Sequence, residues 1–258
     1  MSLYEIYFSP TGGTKKVADI VAKEIKEMDE AVIEIDMIKN LEKLKNTTFQ
    51  EDDLCLIAVP SYGGRVPSVV VEELKHIKGN GAKAVLIAVF GNREIDDTLT
   101  ELEDLLSEGG FVCVAAMEAV AEHSLMHQFA TGRPDQKDEK VLMNFAKEIK
   151  EKCINGHTEG KLNLPGSHDY KEYNGVPLKP AANKKCISCG LCAKECPAGA
   201  IPKENPRATD KEKCISCMHC ISVCPANARG NSKLLLAFAG NAMKKKCSEY
   251  LHNELFIS

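Results

Sequence analysis

The sequence predicts an α/β fold, with a doubly wound, five-stranded parallel sheet followed by a small cysteine-rich domain. Two observations support this prediction. Five short apolar runs alternate with segments of helical periodicity in residues 1–152, and eight of the twelve cysteines fall between Cys186 and Cys224. Strands that alternate with helices pair in parallel and are covered on both faces. A chain of 258 residues is long enough for one large core and one small one.

The predicted elements of the first part follow one another in regular order. Apolar runs predict strands over Leu3–Phe8, Ala31–Asp36, Asp53–Val59, Ala82–Phe90 and Phe111–Met117. Apolar residues spaced by three and four predict helices, most clearly at Val17, Ile20, Val21 and Ile25, at Ile95, Leu99, Leu102, Leu105 and Leu106, and at Val141, Phe145 and Ile149. Such sheets bind ligands at the carboxyl ends of their strands, where the strand order switches. The loops after strands one, three and four therefore form the candidate site.

The loop after the first strand is rich in small and hydroxyl residues, and reads Ser9-Pro10-Thr11-Gly12-Gly13-Thr14. Small residues let backbone N–H groups point into one cavity, and the start of a helix adds partial positive charge. The hydroxyls of Ser9, Thr11 and Thr14 complete a phosphate cage without a cationic side chain. The loop matches neither of the common glycine-rich nucleotide motifs. The alternative is a tight strand-to-helix turn with Thr14 near the N-cap.

The other two loops offer surfaces for a flat ligand. After strand three, the candidate binding residues are Pro60, Ser61, Tyr62, Gly63 and Gly64. The two glycines allow close approach, and Tyr62 supplies a ring for stacking. After strand four, the candidates are Gly91, Asn92 and Arg93.

On these motifs, residues 1–152 resemble a flavodoxin. The phosphate loop of that family runs roughly [ST]-x-T-G-x-T, which Ser9, Thr11, Gly12 and Thr14 match, while Gly13 replaces a common Asn. The resemblance implies FMN as the ligand, with its phosphate in the first loop. Flavodoxins often hold the flavin ring between two aromatic side chains, but this chain has no Trp and its third loop has no Tyr. We therefore expect the second flavin face to be open to a partner, substrate or cluster.

The second part contains an internal repeat with an offset of 28 residues, CISCGLCAKECP from position 186 and CISCMHCISVCP from position 214. Each copy is C-x2-C-x2-C-x3-C-P, the run that bacterial two-cluster ferredoxins use for [4Fe–4S] clusters. A zinc site is the alternative, but zinc motifs usually give two ligands per C-x2-C knuckle. In the ferredoxin pattern the fourth cysteine of each run binds the other cluster. This places cluster 1 on Cys186, Cys189, Cys192 and Cys224, and cluster 2 on Cys196, Cys214, Cys217 and Cys220.

These assignments predict four regions. Residues 1–152 form the FMN domain, 153–182 an extended connector rich in Gly, Pro and Asn, 183–231 the ferredoxin-like domain, and 232–258 a tail of one or two helices. The resemblance to bacterial ferredoxins implies a small α+β fold for residues 183–231. The tail is expected to pack against a domain or a second subunit. The whole chain resembles flavodoxin–ferredoxin fusion proteins of anaerobic bacteria and archaea.

Charge and composition limit the classes of molecule that the chain is expected to bind. Residues 1–182 carry 21 Lys/Arg and 31 Asp/Glu, whereas residues 183–233 carry 9 and 4. The opposite net charges favour contact between the two domains. Two bound clusters would, however, bring the net charge of the ferredoxin-like domain close to zero. The alternative is that the charged side chains form an ordinary solvated surface. The chain lacks the basic face and aromatic platform of nucleic-acid binders. Its most apolar late run, Leu234–Gly240, is far too short to span a membrane, and no signal peptide is visible, so a cytoplasmic location is expected.

Three functions fit this organisation. The first is a soluble electron-transfer protein in which FMN and the two clusters convert between one- and two-electron carriers, with a ferredoxin or an oxidoreductase as partner. The second is an FMN-dependent reductase of a small molecule, in which His123 supplies a proton. His123 could instead merely pack against or cap the last helix, with Pro134 in its first turn. The third is a redox or oxygen sensor. The sequence leaves open whether the protein is an enzyme, and whether it forms a homodimer.

Overall fold

The computed structural model describes residues 2–26, 31–154 and 161–257. Residues 155–160 of the predicted connector lie outside this range. The strands are β1 Leu3–Tyr7, β2 Val32–Asp36, β3 Leu54–Pro60, β4 Lys83–Phe90, β5 Val112–Val120, β6 Ala181–Ala182, β7 Arg229–Gly230 and β8 Glu254–Ile257. The helices are α1 Gly13–Ile25, α2 Leu41–Lys45, α3 Ser68–Leu74, α4 Thr98–Glu108, α5 Gln136–Ile149, α6 Leu191–Lys194, α7 His219–Ser222 and α8 Lys233–Cys247, with a π-helical turn over Lys150–Ile154.

The first five strands are parallel and lie in the order β2-β1-β3-β4-β5, which is the doubly wound order of the flavodoxin-like fold. Alternate residues of each strand enter two separate cores. On β3, Leu56 packs with α1 and α5 on one face, and Ile57 packs with α3 and α4 on the other. This two-sided burial explains why the strands read as continuous apolar runs. The predicted α/β fold is confirmed.

The prediction of five strands is wrong at one edge of the sheet. A sixth strand, β8, pairs antiparallel with β5 and places Phe256 opposite Ala116. This strand belongs to the tail, for which the sequence predicts only helices. The end of the tail is extended because its apolar side chains alternate between the two faces of the sheet. Leu255 and Ile257 pack on one face and Phe256 packs on the other, which is the period of two of a strand.

Two helix starts differ from the predicted positions. The helix α4 begins at Thr98, so Ile95 lies in the preceding turn. Asp135 caps α5 through a capping box with Asp138, so Pro134 precedes this helix instead of standing in its first turn.

The connector is fastened to the larger domain near the start of α4. The side chain of Asp97 accepts hydrogen bonds from the backbone N–H groups of Ser167 and Lys171, at 2.9 and 2.8 Å. Arg65 forms a two-point ion pair with Glu101, at 2.8 and 2.6 Å, and its guanidinium lies 4.7 Å from the centre of the Tyr170 ring. These contacts hold the chain in an extended path over the domain before it enters the cysteine repeats.

The cysteine-rich domain repeats its backbone as well as its sequence. Gly190 and Met218 occupy equivalent positions in the two copies, and each precedes its helix in the left-handed conformation, with φ of 77° and 64°. The strands β6 and β7 pair antiparallel beside these short helices. In the described part of the chain, no helix has the length and apolar character needed to cross a membrane.

Candidate functional site

A cavity of about 420 Å³ lies where the first, third and fourth strands end. We call it the large cavity to distinguish it from two cavities of about 20 Å³ that cysteines line. The three predicted loops meet at the large cavity, as expected for the carboxyl edge of a parallel sheet. Their lining residues are Thr11, Gly13 and Thr14, then Pro60, Ser61, Tyr62 and Gly63, and finally Gly91 and Arg93. Ser9, Gly12, Gly64 and Asn92 are not part of the lining.

The first loop presents the start of α1 to the large cavity. Gly12 adopts a left-handed conformation, with φ of 91°, and the helix begins at Gly13. Within the described residues, the backbone N–H groups of Gly13 and Thr14 have no hydrogen-bond partner, as is usual in the first turn of a helix. Ser9 instead accepts a hydrogen bond from the Lys15 N–H at 2.9 Å. Ser9 therefore braces the loop, and the N–H groups remain free for an anion.

The second loop uses its glycines differently from the prediction. Tyr62 and Arg65 exchange backbone hydrogen bonds across a two-residue turn, and Gly63 and Gly64 both have positive φ. A Cβ at Gly63 would lie 2.2 Å from the Tyr173 ring, and one at Gly64 would lie 2.1 Å from the Asp96 carboxylate. The glycines thus make room for these two side chains of the protein itself. Of the two glycines predicted to admit a flat ligand, Gly63 lines the cavity and Gly64 does not.

The side chain of Asn92, a predicted binding residue, is engaged elsewhere in the structure. Its side-chain amide donates to the backbone oxygens of Cys247 and Glu249 at 2.7 and 2.6 Å, and its side-chain oxygen accepts from the Leu251 N–H at 3.3 Å. Asn92 therefore anchors the end of α8 to the sheet. The sequence carries no signal of this role, because the partners lie more than 150 positions away.

The second flavin face is expected to be open to a partner, substrate or cluster, and other parts of the chain also line the large cavity. The tail contributes Leu235, Phe238, Ala239, Ala242 and Met243 from α8, the connector contributes Tyr173, Val176, Pro177 and Leu178, and the second cysteine repeat contributes Ile215 and Ser216. Tyr173 and Phe238 are the aromatic side chains among these residues, and Phe238 is 76% exposed. The apolar spacing of α8 is visible in the sequence, but nothing local reveals which surface that face meets.

His123 lines the large cavity, as predicted, and packs close to the backbone of Gly91. Its Nδ1 lies 3.2 Å and 3.3 Å from the N–H groups of Leu125 and Met126, which donate to it. These bonds place the ring proton of the neutral form on Nε2. Burial, assisted by the neighbouring charges of His127 and Arg93, lowers the pKa of His123 to about 4. The imidazole is therefore neutral near pH 7.

The eight cysteines of the repeats surround two small cavities. Cys186, Cys189, Cys192 and Cys224 line one of them, and Cys196, Cys214, Cys217 and Cys220 line the other. The structure thus brings together the same two groups of four that the crossed ligation pattern predicts. We call them cavity 1 and cavity 2. No group of three or more His, Cys, Asp or Glu side chains in the described residues is arranged to hold a single metal ion.

Backbone N–H groups point at the crossing cysteine of each run. The Ala200 N–H donates to the Sγ of Cys196 at 3.3 Å, and the Ala228 N–H donates to the Sγ of Cys224 at 3.2 Å. These two contacts are related by the repeat offset of 28 positions. Such donors stabilise negative charge on sulfur, as a cluster ligand requires.

The two cavities differ in one buried side chain. Arg229 lines cavity 1, and the equivalent position in the other copy, Ile201, lines cavity 2. The Arg229 guanidinium is 5% exposed and donates only to neutral oxygens, those of Pro180, Pro206, Ala208 and Thr209. Its Nε is buried and has no partner in the structure. A buried cation without a carboxylate is costly, so this site favours an anionic group in the cavity.

Comparison with protein families identifies the second part of the chain. Residues 185–229 match the model of the family described as the 4Fe-4S dicluster domain. The chain therefore joins a flavodoxin-like fold to a 4Fe-4S dicluster domain. A domain of this type carries electrons, so this is a redox protein.

Solved structures similar to the first part include two flavodoxins and a reductase. A flavodoxin from Streptococcus pneumoniae TIGR4 is 18% identical over 58% of this chain and 99% of its own, with a TM-score of 0.44. Flavodoxin 2 from Bacillus cereus is also 18% identical over 58% and 99%, with a TM-score of 0.43. An FMN-dependent NADH-azoreductase from Bacillus anthracis is 12% identical over 58% and 100%, with a TM-score of 0.39. No curated protein matches the chain.

Proposed function

We propose that this protein passes electrons between an FMN bound in the large cavity and two [4Fe–4S] clusters bound in cavities 1 and 2. One observation carries the proposal. The loop Cys214–Cys217 contributes to two sites at once, since Cys214 and Cys217 line cavity 2 while Ile215 and Ser216 line the large cavity. The two sites therefore share a thin wall of protein.

The residues of the large cavity fit FMN. The free N–H groups at Gly13 and Thr14 would receive the phosphate, with the hydroxyls of Thr11 and Thr14 beside them. Tyr62 and Gly63 would flank the ring system, and the apolar side chains of α8 would shield it from water. When bound, FMN supplies the exchange of one or two electrons, and each cubane supplies the exchange of one.

The ferredoxin-like domain is held against the FMN domain at the phosphate loop itself. The ring Nδ1 of His219 lies 2.9 Å from the Pro10 oxygen, and the Ser222 hydroxyl donates to the same oxygen at 3.0 Å. Both residues belong to α7, the helix that follows Cys217. Because His219 is 5% exposed, this contact is shielded from competing water and fixes cavity 2 beside the large cavity.

A reductase of a small molecule is the second candidate, favoured by His123. Its neutral ring lines the large cavity and carries its proton on Nε2, so it can donate a hydrogen bond to a molecule beside the flavin, whereas its lowered pKa leaves no second proton for transfer near pH 7. Steady consumption of a small acceptor, reduced by His123→Gln by tenfold or more, would support this role.

The electron-transfer proposal is tested on the full chain after anaerobic loading with iron, sulfide and FMN. Stopped-flow absorbance follows flavin reduction by dithionite in the wild type and in Cys217→Ala, which removes a ligand from cavity 2. We expect flavin reduction at least tenfold slower in the variant, because the covered flavin then lacks its neighbouring cluster. Equal rates, with iron at cavity 2 shown to be lost, would contradict the proposal.

FMN binding is tested separately. Thr14→Val should weaken FMN, because one phosphate oxygen loses a donor, and should leave the weaker binding of riboflavin unchanged. Fluorescence titration measures both. Equal affinities of the wild type for FMN and riboflavin would mean that the first loop is only a turn.

A further inference from the structure

The sequence Cys-Ile-Ser-Cys occurs twice, and the two copies have different surroundings. Residues 186–189 form loop 1 and residues 214–217 form loop 2. Their backbones match, since Ser188 and Ser216 both adopt positive φ, at 52° and 58°. Any difference in their surroundings therefore reflects what each loop contacts and not how it is built.

Loop 2 is covered by the FMN domain and loop 1 is not. Ser216 and Cys217 are 4% and 9% exposed, and Ile215 packs against the core of the large domain. In loop 1, the equivalent isoleucine, Ile187, is 68% exposed, and Cys189 is also exposed. The apolar side chain that seats loop 2 on a redox domain thus projects into solvent from loop 1.

The rim of loop 1 is basic. Lys184 and Lys185 are exposed immediately before it, and Arg207 is exposed beside it, with its guanidinium donating to the backbone oxygens of Cys186 and Asn183 at 3.1 Å. Among the described residues, none of these three cations has a carboxylate within ion-pair distance. In the other copy, the counterpart of Lys184 is Glu212. The counterpart of Lys185 is Lys213, which is also exposed. The rim of loop 1 is therefore more positive than that of loop 2, because Glu212 offsets one of the lysines there and Arg207 lies beside loop 1.

We propose that loop 1 and its basic rim are the docking surface for an acidic protein that carries one electron at a time. This inference rests on the proposed function, because it assigns electron exchange with the carrier to a cluster in cavity 1 and electron exchange with FMN to a cluster in cavity 2. Ile187 would supply the apolar centre of the contact, and the three cations would attract and orient the carrier. Each encounter moves one electron and breaks no bond, so the carrier is oxidised as this protein is reduced, or the reverse.

A separate carrier fits loop 1 better than a second copy of this chain. The FMN domain of another copy is acidic, but its large cavity is already covered by its own loop 2 and by α8. The redox site that a second copy leaves exposed is its own loop 1, and the basic rims of the two loops would repel each other.

The test reverses charge at the rim of the fully loaded protein. Lys184→Glu with Lys185→Glu forms the test pair, and Lys137→Glu with Lys140→Glu on α5 forms the control pair, because both changes alter the net charge equally and both pairs are exposed. The probe is a reduced, acidic plant-type [2Fe–2S] ferredoxin. Stopped-flow measurements separate the second-order reduction of the protein by the probe from the first-order phase of internal transfer to the flavin.

We expect the test pair to lower the second-order rate constant at least tenfold at low salt, with the difference shrinking at high salt, while the control pair changes it less than twofold. The first-order phase should be unchanged in both. Equal effects of the two pairs would overturn the docking proposal. So would sedimentation showing that the wild type is a dimer that the test pair dissociates. A charge-dependent first step without any flavin phase would instead contradict the proposed function and leave the docking surface standing.

Discussion

Loop 1 and loop 2 have the same sequence and the same backbone turn, but one faces solvent and the other faces the FMN domain. The difference shows that two loops of the same sequence and backbone turn have different neighbours, and this is the basis for the separate roles that we propose for them. Loop 2 is covered through Ile215 and through the bonds of α7 to Pro10. Loop 1 keeps its apolar residue and its cations exposed. Loop 2 therefore lies on the inner side of the cysteine-rich domain, at the contact with the FMN domain, and loop 1 lies on its outer side, at the surface.

The largest expected effect comes from the cysteine that crosses between the copies. Cys196 belongs to the first run but lines cavity 2 with three cysteines of the second. Cys196→Ala should therefore remove the inner cluster and about half of the roughly eight irons that two cubanes bring. Iron analysis and low-temperature EPR measure the loss.

The matched control for this change is Cys224→Ala, which should remove the outer cluster instead. Loss of the outer cluster in the Cys196 variant would show that each run holds its own cluster, and would remove the basis for an inner and an outer side.

A smaller effect is expected from the charge that distinguishes the two cavities. Reduction adds negative charge to a cluster, and the buried Arg229 in cavity 1 stabilises that charge. Arg229→Met should lower the reduction potential of the outer cluster by at least 59 mV, a tenfold change for one electron. EPR-monitored redox titration measures the shift.

Two further variants separate charge from packing at this position. Arg229→Lys keeps the charge but loses most of the hydrogen bonds to the four neutral oxygens, and should shift the potential less. Ile201→Met, at the equivalent position of cavity 2, should leave the potentials unchanged. Similar shifts of the reduction potential in Arg229→Met and Ile201→Met would show that the charge of Arg229 does not set the potential of the outer cluster.

The smallest effect concerns the tail that covers the large cavity beside loop 2. Glu118 on β5 stands opposite Glu254 on β8. Burial, with the charge of Glu254, raises the pKa of Glu118 to about 7. The folded state therefore binds this proton more tightly than the unfolded state, so its stabilising effect is full below about pH 4.5 and is lost as pH rises to about 7.

Docking of β8 should accordingly weaken by on the order of 1 kcal/mol across this range, after allowance for solvent screening. Hydrogen exchange at residues 255–257 measures the change between pH 5 and pH 8. Glu118→Gln should abolish the pH dependence, and Glu249→Gln, an exposed glutamate of the same tail, should retain it. A dependence that survives Glu118→Gln would assign it to another group.

Local patterns in the sequence were sufficient to predict the parallel strands, the meeting of the three loops and the grouping of the cysteines. Each of these depends on residues close together in the chain, such as the apolar run of β3 or the run from Cys186 to Cys196. The roles of Asn92, of Gly64 and of β8 depend on partners far along the chain, and so no local pattern could reveal them. The two loops show the same limit most clearly, because identical residues cannot indicate which copy is covered.

The central claim is that loop 2 is the inner contact and loop 1 the outer one. It is tested most directly by placing the same substitution in both loops, as Ile187→Asp and Ile215→Asp, and following flavin reduction by an acidic [2Fe–2S] ferredoxin in the stopped flow. Both variants must first be shown to contain as much iron and FMN as the wild type. If either does not, threonine replaces isoleucine at both positions instead. We expect the change at Ile187 to slow only the second-order step with the carrier, and the change at Ile215 to slow only the first-order step to the flavin. Slowing of the same step by both changes, or the reverse assignment, would contradict the central claim.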